Sequence, residues 1–311
     1  MITTVTMNPC IDKTLYLPAL VPGQLNLVED SRQDVAGKGV NVAVVLKELG
    51  QEVLCTGINF DGNGSLMESH LDDLGVAWDF VTAPGDIRTN IKVMDRQKNQ
   101  MTEINSRGDV VDAAIIEALL TKLEGFAARS TVVSFSGRIS NGADDTLYQR
   151  CIERLKPTGT KVVLDAEGKP LRKAIDAGPY LIKPNLYELE TAFNIKVATH
   201  KEAVAVCREV IRRGVQVVCV SLGGDGAMIV DANDAWYAPA LDIVPQGFPG
   251  AGDSMVAGMC KAVEENRGLD DMLRFGMAAS HGSIIRAGTL LCLKPDYDSF
   301  LEQIKIFPIA V

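Results

Sequence analysis

The chain has 311 residues, 47% of them hydrophobic and 23% charged, with 31 basic against 40 acidic side chains and a formal net charge of −9. A chain of this length buries roughly 75% of its unfolded surface, so a large core forms without disulfides or metals. The acidic excess excludes non-specific attachment to nucleic acid or to an anionic membrane, which needs a basic surface. Residues 1–7 have neither the charged leader nor the long apolar stretch of a signal peptide, and no run approaches a membrane-spanning length. The seven cysteines are scattered, odd in number and free of C-x-x-C spacing. They read as buried thiols in a reducing compartment, and the expected address is cytoplasmic.

In chain order, short β-branched runs at 2–7, 53–57, 131–135, 161–165, 180–183 and 215–221 read as strands. Several are apolar on both faces, as in a sheet covered on both sides. Amphipathic segments at 40–49, 66–74, 111–126, 144–155 and 201–213 read as helices, the first two stopped by Gly50 and Gly75. Strand–helix alternation with short links predicts an α/β fold with a mainly parallel sheet. Residues 14–35 and 88–105 break the rhythm. Both read as extended and half polar, with turn signals at Pro22-Gly23 and around Gln97-Lys98-Asn99, and predict a small second sheet serving as a lid, an oligomer interface or both. A β-ribbon over 227–243 and then mostly helix complete a chain read as one domain, 1–311.

The densest chemistry lies in the loop from Gln246 into an apolar helix. Gly250 and Gly252 let the backbone approach a ligand closely. The unpaired amides of the helix's first turn make an anion site. Asp253 adds a carboxylate there, suited to take a proton from a hydroxyl while the amides stabilise phosphoryl charge. The alternative makes Asp253 a plain helix cap. Residues 57–64 lack dinucleotide-loop spacing and read as a strand–loop–helix link, and there is no G-x-x-x-x-G-K-[ST] phosphate loop.

Four further motifs accompany this segment: Asn8-Pro9-Cys10-Ile11-Asp12, Ala36-Gly37-Lys38-Gly39-Val40-Asn41, Lys183-Pro184-Asn185-Leu186-Tyr187-Glu188, and Ser221-Leu222-Gly223-Gly224-Asp225-Gly226. In this order, over essentially the whole chain, they resemble the ribokinase-like PfkB carbohydrate kinases. The Asn-Pro-x-x-Asp opening resembles the branch of 1-phosphofructokinase and tagatose-6-phosphate kinase. The resemblance implies a three-layer ribokinase-like fold with a β-sheet lid, and ATP and Mg²⁺ as cofactors; the exposed face of the lid segments predicts a homodimer formed through it. It implies Asp253 as general base and Gly250, Ala251 and Gly252 as the anion hole. Asp12, Gly37, Lys38, Gly39, Asn41, Arg88 and Asn90 would hold the sugar phosphate. Lys183, Asn185, Glu188, Ser221, Gly223, Gly224, Gly226 and Gly288 would hold ATP, with Glu188 reaching the metal through water.

The chain departs from the branch at Leu27 and Val44, where arginines are usual, and at Phe248-Pro249. Arg138 stands where a serine is usual and is expected to restore phosphate binding. The expected reaction is ATP-dependent conversion of fructose 1-phosphate to fructose 1,6-bisphosphate. A tagatose-6-phosphate kinase, a kinase for an unphosphorylated sugar or nucleoside, and a non-catalytic sugar- or nucleotide-binding regulator are the alternatives.

Overall fold

The strand Ile2–Thr6 is buried at every residue, and its two neighbours explain why. In the computed structural model, which describes residues 1–310, it pairs in parallel with Val53–Phe60 on one side and Val132–Ser136 on the other. Across this eleven-stranded sheet the order is Phe307–Pro308, Ala235–Ala238, Ala227–Val230, Val217–Ser221, Leu181–Ile182, Lys161–Asp165, Val132–Ser136, Ile2–Thr6, Val53–Phe60 and Ala77–Trp78, with Val81–Ala83 also paired to Val53–Phe60. Pairing is parallel up to Val217–Ser221 and antiparallel beyond it. The helices pack in two groups. Lys38–Glu48, Ala251–Glu264, Leu269–Ile284 and Lys294–Gln303 lie against one another, and Ala113–Ala127, Leu147–Leu155, Gly168–Ile175 and Leu186–Phe193 follow in series. Buried strands between them give the covered α/β sheet that the alternation predicts. Among the described residues no helix is long and apolar enough to cross a membrane, and all seven cysteines are buried and unbridged.

The chain lays Val53–Phe60 on one side of its first strand and later returns to lay Val132–Ser136 on the other. This reversal leaves a crevice at the carboxyl ends of the strands, where open α/β sheets bind ligands. Helix Lys38–Glu48 begins over the same place. Gly37 has φ +137°, a conformation other residues rarely adopt. A Cβ on Gly39 would overlap Thr6 Oγ1 and stand 2.5 Å from the Val5 carbonyl oxygen. Gly39 therefore sets how closely the helix seats on the strand. Gly39→Ala forces backbone apart from backbone and costs about 1–3 kcal/mol or more. A lower urea midpoint at unchanged m value is the expected result, and an unchanged midpoint would refute this packing role.

The second sheet has the order Asp30–Ala36, Cys10–Leu17, Arg88–Asp95, Gln100–Ile104. It starts earlier than the expected 14–35 segment, and residues 18–29 are not strand. There Asn26 bonds Val21 and Gln24 through its side chain, a local alternative to sheet pairing. The expected ribbon over 227–243 ends at Ala238. Helices Gly168–Ile175 and Leu186–Phe193 were not anticipated. The second starts with a reciprocal capping box, Asn185 Oδ1 accepting from the Glu188 amide at 2.7 Å and Glu188 Oε2 from the Asn185 amide at 2.8 Å.

Candidate functional site

Two cavities meet at the start of helix Ala251–Glu264. Its cap position is Gly250, with φ +84° and no side-chain cap, so Asp253 is a first-turn residue and not the cap. The Ala251 amide donates to the Phe248 carbonyl at 3.2 Å. That narrows the expected anion hole to the Gly252 and Asp253 amides, which have no partner within the helix. Asp253 is 5% exposed, and its Oδ2 accepts from Asn41 Nδ2 at 2.7 Å. Burial pushes its carboxyl up to about 6, against the opposing charge of Lys38 and with the reinforcing charge of Asp165. Such a carboxylate accepts a proton near neutral pH more readily than an exposed one.

The first cavity, about 350 Å³, lies between the carboxyl ends of the central strands and the second sheet. Asp12, Gly37, Lys38, Asn41, Arg88, Asn90, Arg138 and Gly250 line it. Gly39 does not; it is packed against the first strand, as above. Sheet register places Asp12 opposite Asn90, whose Nδ2 donates to Asp12 Oδ1 at 2.9 Å. Lys92, two residues further along the same face, reaches Asp12 Oδ2 at 2.7 Å, both side chains nearly buried. The sequence reading missed Lys92; its two-residue offset from Asn90 on a strand was the available signal. Arg88 Nη1 donates to Asn90 Oδ1 and to the Ser106 carbonyl, and its Nε is buried with no partner. Arg138 sits at the rim in an exposed ion pair with Glu167 at 2.9 Å.

The second cavity, about 460 Å³, is lined by Asn185, Ser221, Gly223, Gly224, Gly226, Ala251 and Gly252, together with Leu241, Met277 and His281. Gly288 does not border it. The structure places Gly288 beside Gly247 and Thr289, in a separate cavity under the second sheet with Tyr16 and Met94. The 286–291 loop turns away toward that sheet, and Thr289 donates to Asp34 at 3.1 Å.

Between the cavities stands Asp165, unnoticed in the sequence. The parallel register pairs Leu164 with Ile182, so Asp165 and Lys183 emerge side by side. Lys183 Nζ lies 3.4 Å from Asp165 Oδ1, and Lys38 Nζ lies 3.1 Å from Oδ2. Burial alone would raise the Asp165 pKa, but Lys183 and Lys38 together hold it below the ordinary value. Asp165 in turn raises Lys38, which stays charged. A Cβ on Gly252 would lie 3.7 Å from Lys183 Nζ, which puts that cation beside the first turn of the helix.

Among the described residues no three His, Cys, Asp or Glu gather to hold a metal. A Mg²⁺ shared with phosphates takes only one or two carboxylates and keeps waters. Glu188 fits that chemistry. Its Oε2 is used by the capping box and its Oε1 is left over. Burial first, with Asp165 adding, raises its pKa.

A model of the pfkB family carbohydrate kinases matches residues 5–296. The chain is 32% identical over 309 residues to a 1-phosphofructokinase of Borreliella burgdorferi, with 98% of each chain covered. It is 28% identical to the 1-phosphofructokinase of Escherichia coli K12, covering 99% of this chain and 98% of the relative. The crystal structure of phosphofructokinase-2 from Escherichia coli in complex with fructose-6-phosphate matches with a TM-score of 0.90 at 25% identity, over 97% and 98% of the two chains. The chain belongs to the pfkB family of carbohydrate kinases and is an ATP-dependent sugar kinase.

Proposed function

We propose that this kinase phosphorylates a sugar that already carries a phosphate, with fructose 1-phosphate as acceptor and fructose 1,6-bisphosphate as product. The observation that carries the reading is the sugar-side cavity, which gathers Lys38, Arg88, Lys92 and Arg138 against Asp12, Glu103 and Glu167, a local excess of basic groups in a chain of net charge −9. Asp12 and Asn90 would take the sugar hydroxyls, and Arg88 would offer its planar fork to the existing phosphate. Asp253 would receive the proton of the attacking hydroxyl. The Gly252 and Asp253 amides, with Lys183 and Lys38, would take the charge of the phosphoryl group in transit. ATP would occupy the second cavity, its phosphates toward Gly252. Magnesium, when bound, neutralises phosphate charge, and Glu188 is the side chain that would hold it, through water. The chain would work as one catalytic domain, the second sheet acting as a lid that excludes water.

ADP release across fructose 1-phosphate, tagatose 6-phosphate, fructose 6-phosphate, fructose and ribose tests this. Turnover confined to unphosphorylated sugars would overturn it. No turnover with binding intact would point to a regulator. Preference for tagatose 6-phosphate keeps the mechanism and changes the acceptor.

Arg138 is the second point of test. Its pair with Glu167 is exposed on both sides, 67% and 51%, so Arg138→Ser changes stability by less than about 0.5 kcal/mol. Its expected effect is on KM for the best sugar phosphate, roughly tenfold for a lost charge-assisted hydrogen bond. An unchanged KM removes Arg138 from phosphate recognition. We further propose a homodimer through the second sheet and the 18–29 loop beside it, which display Met101 and Ile104, and Leu25 and Leu27, respectively. Sedimentation equilibrium giving a monomer would remove that proposal.

A further inference from the structure

His281 is 3% exposed on helix Leu269–Ile284, and both of its ring nitrogens are engaged. Nδ1 lies 2.7 Å from the Met277 carbonyl, one helical turn back. Nε2 accepts the Leu241 amide at 3.0 Å. A carbonyl only accepts and an amide only donates, so the ring is the neutral tautomer with its proton on Nδ1. Phe300 covers the ring, with centroids 5.8 Å apart.

Residues 239–245 leave strand Ala235–Ala238 beside Gly226 and form one wall of the second cavity, through Ala240, Leu241, Ile243 and Pro245. This wall has no regular structure. Pro239 and Pro245 carry no amide proton. Among the described residues, the Leu241 amide is the one main-chain donor of 239–245 that meets a protein acceptor, and that acceptor is His281. Leu241 and Ile243 also pack against the core, and the next main-chain hydrogen bond comes only past the far end, where the Gln246 amide bonds the Ile284 carbonyl of the same helix at 2.8 Å.

We infer that His281 is a positioning residue for the nucleotide. It hangs the 239–245 wall from helix Leu269–Ile284 and thereby sets the width of the slot that receives the base. The inference rests on the reading of the second cavity as the ATP site. An anchored wall binds without first having to be ordered, which lowers the cost of binding. The bond never touches the reacting atoms, so its loss acts on nucleotide affinity and leaves the phosphoryl-transfer step alone.

The experiment measures KM for ATP, KM for the sugar phosphate and kcat in wild type and three variants. His281→Phe keeps an aromatic ring and removes the acceptor; KM for ATP rises about tenfold, with kcat and the sugar KM within twofold. His281→Gln returns an acceptor and recovers most of that affinity. Gly224→Leu tests the cavity itself. Gly224 lines the cavity and a Cβ there meets nothing within 4 Å, so a leucine is accommodated without strain and competes for the space claimed for the base. If Gly224→Leu leaves KM for ATP unchanged, the ATP site is elsewhere and that reading fails. If Gly224→Leu raises it and His281→Phe does not, the positioning role fails alone. Equal losses in His281→Phe and His281→Gln reduce the residue to packing and also overturn the role. Should His281→Phe not fold, long-range ¹H–¹⁵N correlation of wild-type histidines still decides. The Nδ1–H tautomer is expected, and an Nε2–H tautomer overturns the inference.

Discussion

Asp253→Asn lowers kcat on the preferred sugar phosphate by roughly 10²–10⁴-fold or more, while calorimetric titration shows nucleotide affinity within a few fold of wild type. The replacement is nearly isosteric and retains an oxygen for the Asn41 contact, so what it removes is the carboxylate proposed as the proton acceptor. The wild-type carboxyl is lifted from an ordinary 3.8 to about 6, chiefly by burial. Only the ionised form accepts the proton, so kcat/KM rises with pH through about 6 and levels above 7. A near-normal rate in Asp253→Asn, or an acid limb that persists in it, assigns the base to another group.

The burial that tunes Asp253 also destabilises the fold. Its folded pKa lies above the unfolded one, so between about pH 4 and 6 the native state binds more protons than the unfolded chain. Stability therefore falls as pH rises through that window, and the penalty is complete above it. Two pKa units correspond to about 3 kcal/mol. Asp253→Asn is then the more stable protein at pH 8, by an amount of that order, and its advantage shrinks toward pH 4. Thermal unfolding at the two pH values checks this. A variant less stable than wild type at pH 8 contradicts the desolvation account.

The loop before Asp253 was legible because its demands are local. A left-handed residue at Gly250 and small residues at a helix start can be read from a dozen consecutive positions. The strand–helix rhythm was legible for the same reason. What escaped depends on register between distant segments. Asp165 closes an apolar strand as one more polar residue, and only the pairing of Leu164 with Ile182 brings it beside Lys183. Lys92 is one lysine among many until the second sheet sets it diagonal to Asp12. Gly39 reads like Gly37 in a glycine-rich helix start, yet one faces the cavity and the other meets the Val5 carbonyl. Gly288 was assigned by likeness to other chains, and the path of its loop takes it under the second sheet. Asn185 and Glu188 were expected at the nucleotide. The capping box that joins them adds a structural duty, since it fixes the helix start from which Glu188 projects.

Asp165→Asn lowers stability at pH 7 by about 3–5 kcal/mol, the usual cost of leaving a buried ion without its partner. The Asp165 side chain is 2% exposed and that of Lys183 6%, whereas Lys38 at 46% reaches water. Most of the loss thus comes from Lys183. The folded pKa of Asp165 is depressed, so its contribution is present above the ordinary carboxylate pKa and is lost as pH falls through the folded value. The gap between wild type and variant is therefore full from pH 6 to 8 and narrows below pH 4. Catalysis changes as well. With Lys38 and Lys183 released, kcat falls on the order of 10²-fold from misplacement alone. The Asp253 carboxyl loses a neighbouring negative charge that helped raise its pKa, so the acid limb of kcat/KM moves below about 6. The pair Asp165→Leu with Lys183→Met removes both buried charges and fills the space, and it recovers most of the stability without the rate. Recovery of rate and stability together would make the Asp165–Lys183 pair a packing element and leave phosphoryl charge to the amides and Lys38.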